Sequence, residues 1–131
     1  MSQLQGKVAI VTGGGSGFGE GIVKLYAKEG AKVVIADINQ VAADRVAAEV
    51  GAAALAVKAD VSSRADIDNV VRVCQEKFGS VDIVVNNAAI THKNQPMLDV
   101  DEAMFDRMFD INVKSIYHMA QAVVPVMRKQ K

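Results

Sequence analysis

The sequence predicts a doubly wound α/β fold, a parallel sheet with helices on both faces. Three observations lead there. Short runs rich in valine and isoleucine alternate with longer stretches carrying apolar residues at helical spacing. Glycines close the helical stretches at Gly30, Gly51 and Gly79. The apolar runs do not alternate with polar residues, as expected for strands covered on both faces.

Each element can be read in turn. Lys7–Thr12 (KVAIVT) predicts the first strand. Phe18, Ile22, Leu25 and Tyr26 mark the apolar stripe of the helix that follows, with Tyr26 in the core. Lys32–Asp37 (KVVIAD) predicts a second buried strand, and Asn39 an N-cap for a helix bearing Val46 and Val50. Leu55–Ala59 predicts a weaker third strand. Ser63 and Asp66 resemble the start of a capping box ahead of the stripe Ile67, Val70, Val71, Cys74 and Phe78. Asp82–Asn86 (DIVVN) predicts a fourth strand. A loop through Pro96 leads to a helix near Asp101–Asp110 and a longer one from about Val113, in which Pro125 removes one backbone hydrogen bond and predicts a kink.

Composition narrows the class. The 131 residues suit a single domain, expected here over residues 1–131, and half of them are hydrophobic, enough for a core. Fifteen Lys and Arg balance fifteen Asp and Glu, so no field of one sign points to nucleic acid or a membrane surface. The single cysteine, Cys74, excludes an internal disulfide framework. His92 and His118 lack partners at metal-ligand spacing and read as surface or loop histidines. No apolar stretch or signal-peptide pattern stands out, so a soluble, cytoplasmic domain is expected.

The residues after the first strand are Thr12-Gly13-Gly14-Gly15-Ser16-Gly17-Phe18-Gly19. Between a buried strand and a helix start, such a loop can be a flexible turn or can offer backbone N–H groups and the positive end of a helix dipole to a phosphate. Gly13 permits the tight turn, Gly17 lets backbone approach a pyrophosphate, and Gly19 lets helix and sheet pack closely. A Walker loop is excluded because no Gly-Lys-Ser/Thr follows. Asp37, at the end of the second strand, suits an acid that binds an adenosine ribose, while also starting the turn into Asn39. Its carboxylate repels the 2′-phosphate of NADP, and no Arg or Lys stands beside it in sequence. The expected cofactor is therefore NAD, on a Rossmann domain.

The spacing Thr-Gly-x-x-x-Gly-x-Gly resembles the short-chain dehydrogenase/reductase family, as do three later motifs. Asp60-Val61 follows the third strand, where the resemblance implies an adenine site. Asn86-Asn87-Ala88-Ala89 resembles the family's Asn-Asn-Ala-Gly, with Ala89 replacing glycine. Asn86 reads as a structural brace, and Asn87, Ala88 and Ala89 as contacts of the nicotinamide ribose. Gly15, Ser16 and Phe18 in the loop, and Ile38 beside Asp37, complete the expected cofactor contacts. Asn112, in the context Asn-Val-Lys, matches the family's catalytic asparagine, and can equally be an N-cap. The resemblance implies hydride transfer between NAD and a secondary alcohol or ketone, 3-oxoacyl reductase-like chemistry being one form. It also implies a homo-oligomer.

The family's serine and Tyr-x-x-x-Lys pair are missing. Four residues after Tyr26 stands Gly30, and four after Tyr117 stands Gln121. The fourth strand would leave an apolar edge open where a fifth belongs in the order 3-2-1-4-5-6. These 131 residues are thus expected to be the front half of a longer protein and inactive alone. Met104, Phe105, Met108 and Phe109 read as helix-packing residues, and the loop Thr91–Met97 lies beside the expected cleft.

Overall fold

The computed structural model describes residues 2–131. Four strands, β1 (Val8–Thr12), β2 (Lys32–Asp37), β3 (Ala54–Lys58) and β4 (Ile83–Val85), form one sheet in the order β3-β2-β1-β4. All three pairings are parallel, with Val11 opposite both Ile35 and Val85. The helices are α1 (Gly17–Lys28), α2 (Gln40–Val50), α3 (Arg64–Phe78), α4 (Glu102–Phe109) and α5 (Ser115–Gln130). This is the doubly wound α/β arrangement the alternation predicts.

Strand side chains divide between two cores, one on each face. Val11, Val33 and Ile35 pack with Val23 of α1 and Ala43 and Val46 of α2. Ile10, Val34 and Ala36 pack with Ile67, Val70, Val71 and Cys74 of α3 and Met119 and Val123 of α5. Alternate residues of β1 and β2 therefore serve opposite faces, and both faces are apolar, which explains the unbroken hydrophobic runs. The α3 stripe is as expected, with Phe78 half-buried against the same core.

The α1 stripe is not. Phe18 and Leu25 are exposed, and the face that meets the sheet carries Gly19 and Val23, flanked by half-buried Ile22 and Tyr26. The helix begins so close to the β1 turn that only a glycine fits its first inward position, and this rotates Phe18 outward. β4 is also shorter than expected. Asp82 lies before it, its carboxylate accepting from Val8 N at 2.9 Å, and Asn86 lies beyond it. Lys7 falls outside β1, and β3 sits one residue earlier than predicted.

The two C-terminal helices are joined rather than separate. Asp110–Lys114 forms a π-helical turn that carries α4 into α5 without a break. Asn112 lies inside it and caps nothing. Pro125 is within α5, which continues to Gln130, so the proline does not end the helix. His118 is half-buried rather than a surface residue, and its Nδ1 is enclosed without a partner. Phe105 and Phe109 stack with ring centroids 4.9 Å apart, yet both are about half exposed.

Cys74 is fully buried and donates weakly to Ser80 O at 3.4 Å. Burial, helped by the charge of Asp82, pushes its thiol up to about 12. We expect iodoacetamide at pH 8 to leave Cys74 unmodified in the native protein and to label it fully in urea. Rapid native labelling, followed by mass spectrometry, would contradict the packing described.

Candidate functional site

The carboxyl ends of β1, β2 and β4 converge on one cleft, and the β1–α1 loop crosses its mouth. Gly13 turns out of β1 with φ +67°, and its N–H donates to Ala36 O at 2.7 Å. A Cβ on Gly13 would lie 2.9 Å from Asn87 Nδ2 and 3.0 Å from Ala88 Cα, so both its conformation and its neighbours demand glycine. A Cβ on Gly19 would overlap the Gly13 carbonyl oxygen. Gly17 differs: its φ is +55°, but nothing lies within 4 Å of the position a Cβ would take. Backbone there faces open space that a ligand can enter.

The start of α1 is uncapped. Asn39, Ser63 and Asp101 each accept a bond from the first turn of α2, α3 and α4, but the Ser16 side chain makes no such bond. The first N–H groups of α1 have no side-chain partner of this kind, and they carry the positive end of the helix dipole. A pyrophosphate is the chemistry they suit.

Asp37 stands at the far side of the loop. Its Oδ2 accepts from Gly15 N and its Oδ1 from Asn39 N, both at 2.9 Å. The turn role and the loop role therefore coexist. Each carboxylate oxygen can accept a further bond, so hydroxyl groups can still be received. At the next strand end, Asp60 Oδ1 accepts from Ser62 Oγ at 2.6 Å and from Ser62 N at 2.9 Å. These bonds, with the charge of Arg107, hold the Asp60 carboxyl below its usual range. Ser63 Oγ accepts from Asp66 N, but the reciprocal half of the capping box is absent. Asp66 Oδ2 instead accepts from Asp60 N at 2.9 Å and fixes the β3–α3 corner.

The β1 and β4 ends are tied by Thr12, whose Oγ1 accepts from Asn87 N and Ala88 N at 3.0 Å each. Asn87 Nδ2 donates to Gly13 O at 3.2 Å. Asn87 therefore sits against the glycine loop, while Asn86 is exposed and makes no brace of this kind. Asn112 pairs with one backbone residue at both ends of its amide: Oδ1 accepts from Ile90 N at 2.9 Å and Nδ2 donates to Ile90 O at 2.7 Å. Its carboxamide anchors the segment after β4 to the π-helical turn.

A cavity of about 270 Å³ gathers Gly13, Ser16, Asp37, Ile38, Asp60, Val61, Asn87, Ala88 and Ala89. Gly15, Gly17, Phe18, Gly19 and Asn112 lie outside its lining, Gly15 in the β1–α1 loop and the next three in the first turn of α1. The lining also includes Ala36, Ala59, Ile90, Arg107 and Ile111, none of which sequence reasoning singled out. Ala36 and Ala59 carried a usable signal, being small residues at or just beyond strand carboxyl ends. Arg107 and Ile111 carried none, because their approach depends on how α4 and the π-helical turn pack. The loop Thr91–Met97 is not part of the lining. Among the described residues, no group of three or more His, Cys, Asp or Glu side chains could hold a metal ion, and no helix is long and apolar enough to cross a membrane.

Known proteins share this arrangement. The family model for short chain dehydrogenases matches residues 7–131. A galactitol 2-dehydrogenase of Agrobacterium fabrum is 47% identical over 125 residues, covering 95% of this chain and 48% of that protein. The structure of a 3-ketoacyl-(acyl-carrier-protein) reductase from Brucella melitensis complexed with NADH superposes with a TM-score of 0.95 at 51% identity, covering 97% of this chain and 52% of that one. A short chain dehydrogenase/reductase from Burkholderia phymatum in complex with NAD gives 0.93 at 31% identity, over 99% of this chain and 47% of that one. The chain thus spans about half the length of the curated relatives it matches. With its four parallel strands, its glycine loop under an uncapped helix and a family match from Lys7 to the last residue, this chain belongs to the short chain dehydrogenase family.

Proposed function

We propose that the cleft binds NAD and that the protein is an oxidoreductase acting on a secondary alcohol or ketone. The observation that carries this reading is the placement of Asp37 in one cavity with Asp60, Val61, Asn87 and Ala88, beside a turn in which Gly13 and Gly19 leave no room for a Cβ. Asp37 receives the adenosine ribose hydroxyls, with Ile38 beside it. Asp60 and Val61 line the adenine end. The N–H groups of Ser16–Gly19, at the uncapped start of α1, take the pyrophosphate, with Ser16 and Phe18 at the exposed edge. Asn87, Ala88 and Ala89 hold the nicotinamide ribose, and Asn112 keeps that segment in place through Ile90. When bound, NAD supplies the hydride acceptor, and the chain's own part is to bind it, orient it and present one face. The two similar structures that hold NADH and NAD support this choice of cofactor, and the galactitol dehydrogenase supports an alcohol substrate.

These residues contain no Tyr-x-x-x-Lys pair to move a proton to or from the substrate oxygen. We therefore read residues 1–131 as a cofactor-binding domain that holds NAD without turnover, the remaining chemistry belonging to other residues of the parent protein. The exposed Phe105, Phe109, Val113, Ile116 and Tyr117 on the joined α4–α5 helix give self-association a surface.

Isothermal titration of the 131-residue chain with NAD tests the reading. We expect saturable binding, and a loss of about tenfold or more in Asp37→Ala, the worth of one or two hydrogen bonds to a charged group. NADP should bind more weakly than NAD to the unsubstituted chain, and the preference should narrow in the variant. Absence of NAD binding would refute the function, and alcohol-dependent NAD reduction by this chain would refute its inactivity.

A further inference from the structure

The glycine loop is held from behind by a residue thirty positions further along the chain. Arg45, on α2, donates from Nη2 to the Gly15 carbonyl at 3.2 Å. The same guanidinium bonds Glu20 through Nη2 at 2.7 Å and through Nη1 at 3.3 Å, and Glu49 through Nη1 at 3.2 Å. Lys24 completes the cluster, 2.6 Å from Glu20 and 2.7 Å from Glu49. Two cations thus face two carboxylates across the α1–α2 junction.

Gly15 is enclosed at the centre of this arrangement. Its N–H donates to Asp37 Oδ2 and its carbonyl accepts from Arg45, so both sides of the residue are fixed. A Cβ there would lie 2.8 Å from Asp37 Oδ2 and 3.0 Å from Ala42 Cβ, which leaves no room for a side chain between the loop and α2. Arg45 is the only cationic side chain bonded to this loop among the described residues. A planar fork can bond a carbonyl and two carboxylates at once, which a single ammonium cannot.

We propose that Arg45 is a positioning residue for the dinucleotide site: by fixing the Gly15 carbonyl it sets the loop N–H groups for a pyrophosphate before the ligand arrives. The inference rests on the NAD reading above and deepens it. A loop already ordered in the binding shape loses less freedom when the ligand binds. The carboxylates keep Arg45 in this task. Its bonds to Glu20, with those of Lys24, hold the Glu20 carboxyl down at about 2, so the cluster stays charged throughout the neutral range. Because Glu20 and Glu49 also engage both cations, neither is spare to receive a 2′-phosphate, which agrees with a preference for NAD.

The test compares two probes on the unsubstituted chain, R45M and R45K. NAD carries the pyrophosphate; adenosine reaches Asp37 and Asp60 but has none. Arg45 is about half exposed, so both variants should fold, which circular dichroism checks. We expect NAD affinity by titration calorimetry to fall roughly fivefold in R45M, as for a partly exposed charged contact. R45K should fall by a similar factor, since an ammonium keeps the charge but loses the fork. Adenosine affinity, followed by NMR shift titration, should stay within about twofold, as befits a contact confined to the loop.

Unchanged NAD affinity in R45M would overturn the proposal, and so would wild-type affinity in R45K. An equal loss for adenosine would also overturn it, because Arg45 would then be supporting the fold rather than the loop. Failure of the unsubstituted chain to bind NAD would instead bring down the function reading, and this inference with it.

Discussion

Gly19→Ala should abolish measurable NAD binding and destabilise the protein, although alanine is the better helix former. The added methyl would occupy the space of the Gly13 carbonyl oxygen and crowd Asn87 Nδ2. The first is backbone and cannot turn aside, so either α1 or the β1 turn must move. Helix propensity favours the substitution by about 1 kcal/mol, while overpacking at a rigid contact costs about 3 kcal/mol, so the clash wins by roughly 2 kcal/mol. The same movement displaces the N–H groups that face the pyrophosphate, which is why binding should fall further than stability. Gly21→Ala is the control within the same helix. Nothing lies within 4 Å of a Cβ there, so propensity acts unopposed and the variant should gain up to about 1 kcal/mol. Urea denaturation and NAD titration of both variants decide the matter. If Gly19→Ala proves as stable and as tight-binding as the parent, the close approach of α1 to the β1 turn is wrong.

Thr12→Val should cost at least as much stability and less binding, with almost no change in shape. Thr12 is 2% exposed, and its hydroxyl accepts from two consecutive amides, Asn87 N and Ala88 N. Valine fills the same space with a methyl that accepts nothing. The Asn87 amide keeps a bond to Val85 O at 3.0 Å, so the Ala88 amide suffers more. Leaving these donors poorly satisfied in a half-buried setting costs about 3 kcal/mol in all. The segment that follows, through Ala88 and Ala89, loses its tie to β1, and NAD affinity should drop by about tenfold, the factor that corresponds to one hydrogen bond of this kind. Thr12→Ser retains the acceptor and gives up only a methyl group, for about 1 kcal/mol. Amide hydrogen exchange offers a local check, since Asn87 and Ala88 should lose protection in the valine variant and keep it in the serine one. Equal protection in both would show that the hydroxyl does not organise this turn.

The Thr12 contacts join segments far apart in the chain, and the Gly19 contact is backed by one of them through Asn87; both mark the limit of what the sequence shows. Glycines at positions 13 and 19 were legible as a loop and a close approach, but not that the atoms approached are the Gly13 carbonyl oxygen and Asn87 Nδ2. Thr12 was visible as the last residue of a strand and the first of the glycine motif, but not as the tie to Asn87 and Ala88. Phe18 read as a core residue because its spacing from Ile22 is helical, yet it is exposed, since the glycine loop sets the rotation of α1. Asn112 read from its Asn-Val-Lys context as the family's asparagine at a helix start, with an N-cap as the alternative, but the chain is already helical there and the side chain is committed to Ile90.

What the sequence determined by itself was everything governed by local chemistry. Valine- and isoleucine-rich runs covered on both faces became parallel strands, Asn39, Ser63 and Asp101 capped their helices, and glycines at 30, 51 and 79 ended three of them. Asp37 and the glycine loop were legible together because a single strand–helix–strand unit brings them close by its own geometry. The packed molecule shows what no local pattern does: Arg45 reaches Gly15, Arg107 and Ile111 line the cleft, a π-helical turn joins the last two helices, and Thr12 ties β1 to the end of β4. The physical reason is one of range. Periodicity and capping depend on neighbours within a few residues, whereas these contacts depend on where separate helices settle on the sheet, and packing of whole faces sets that position.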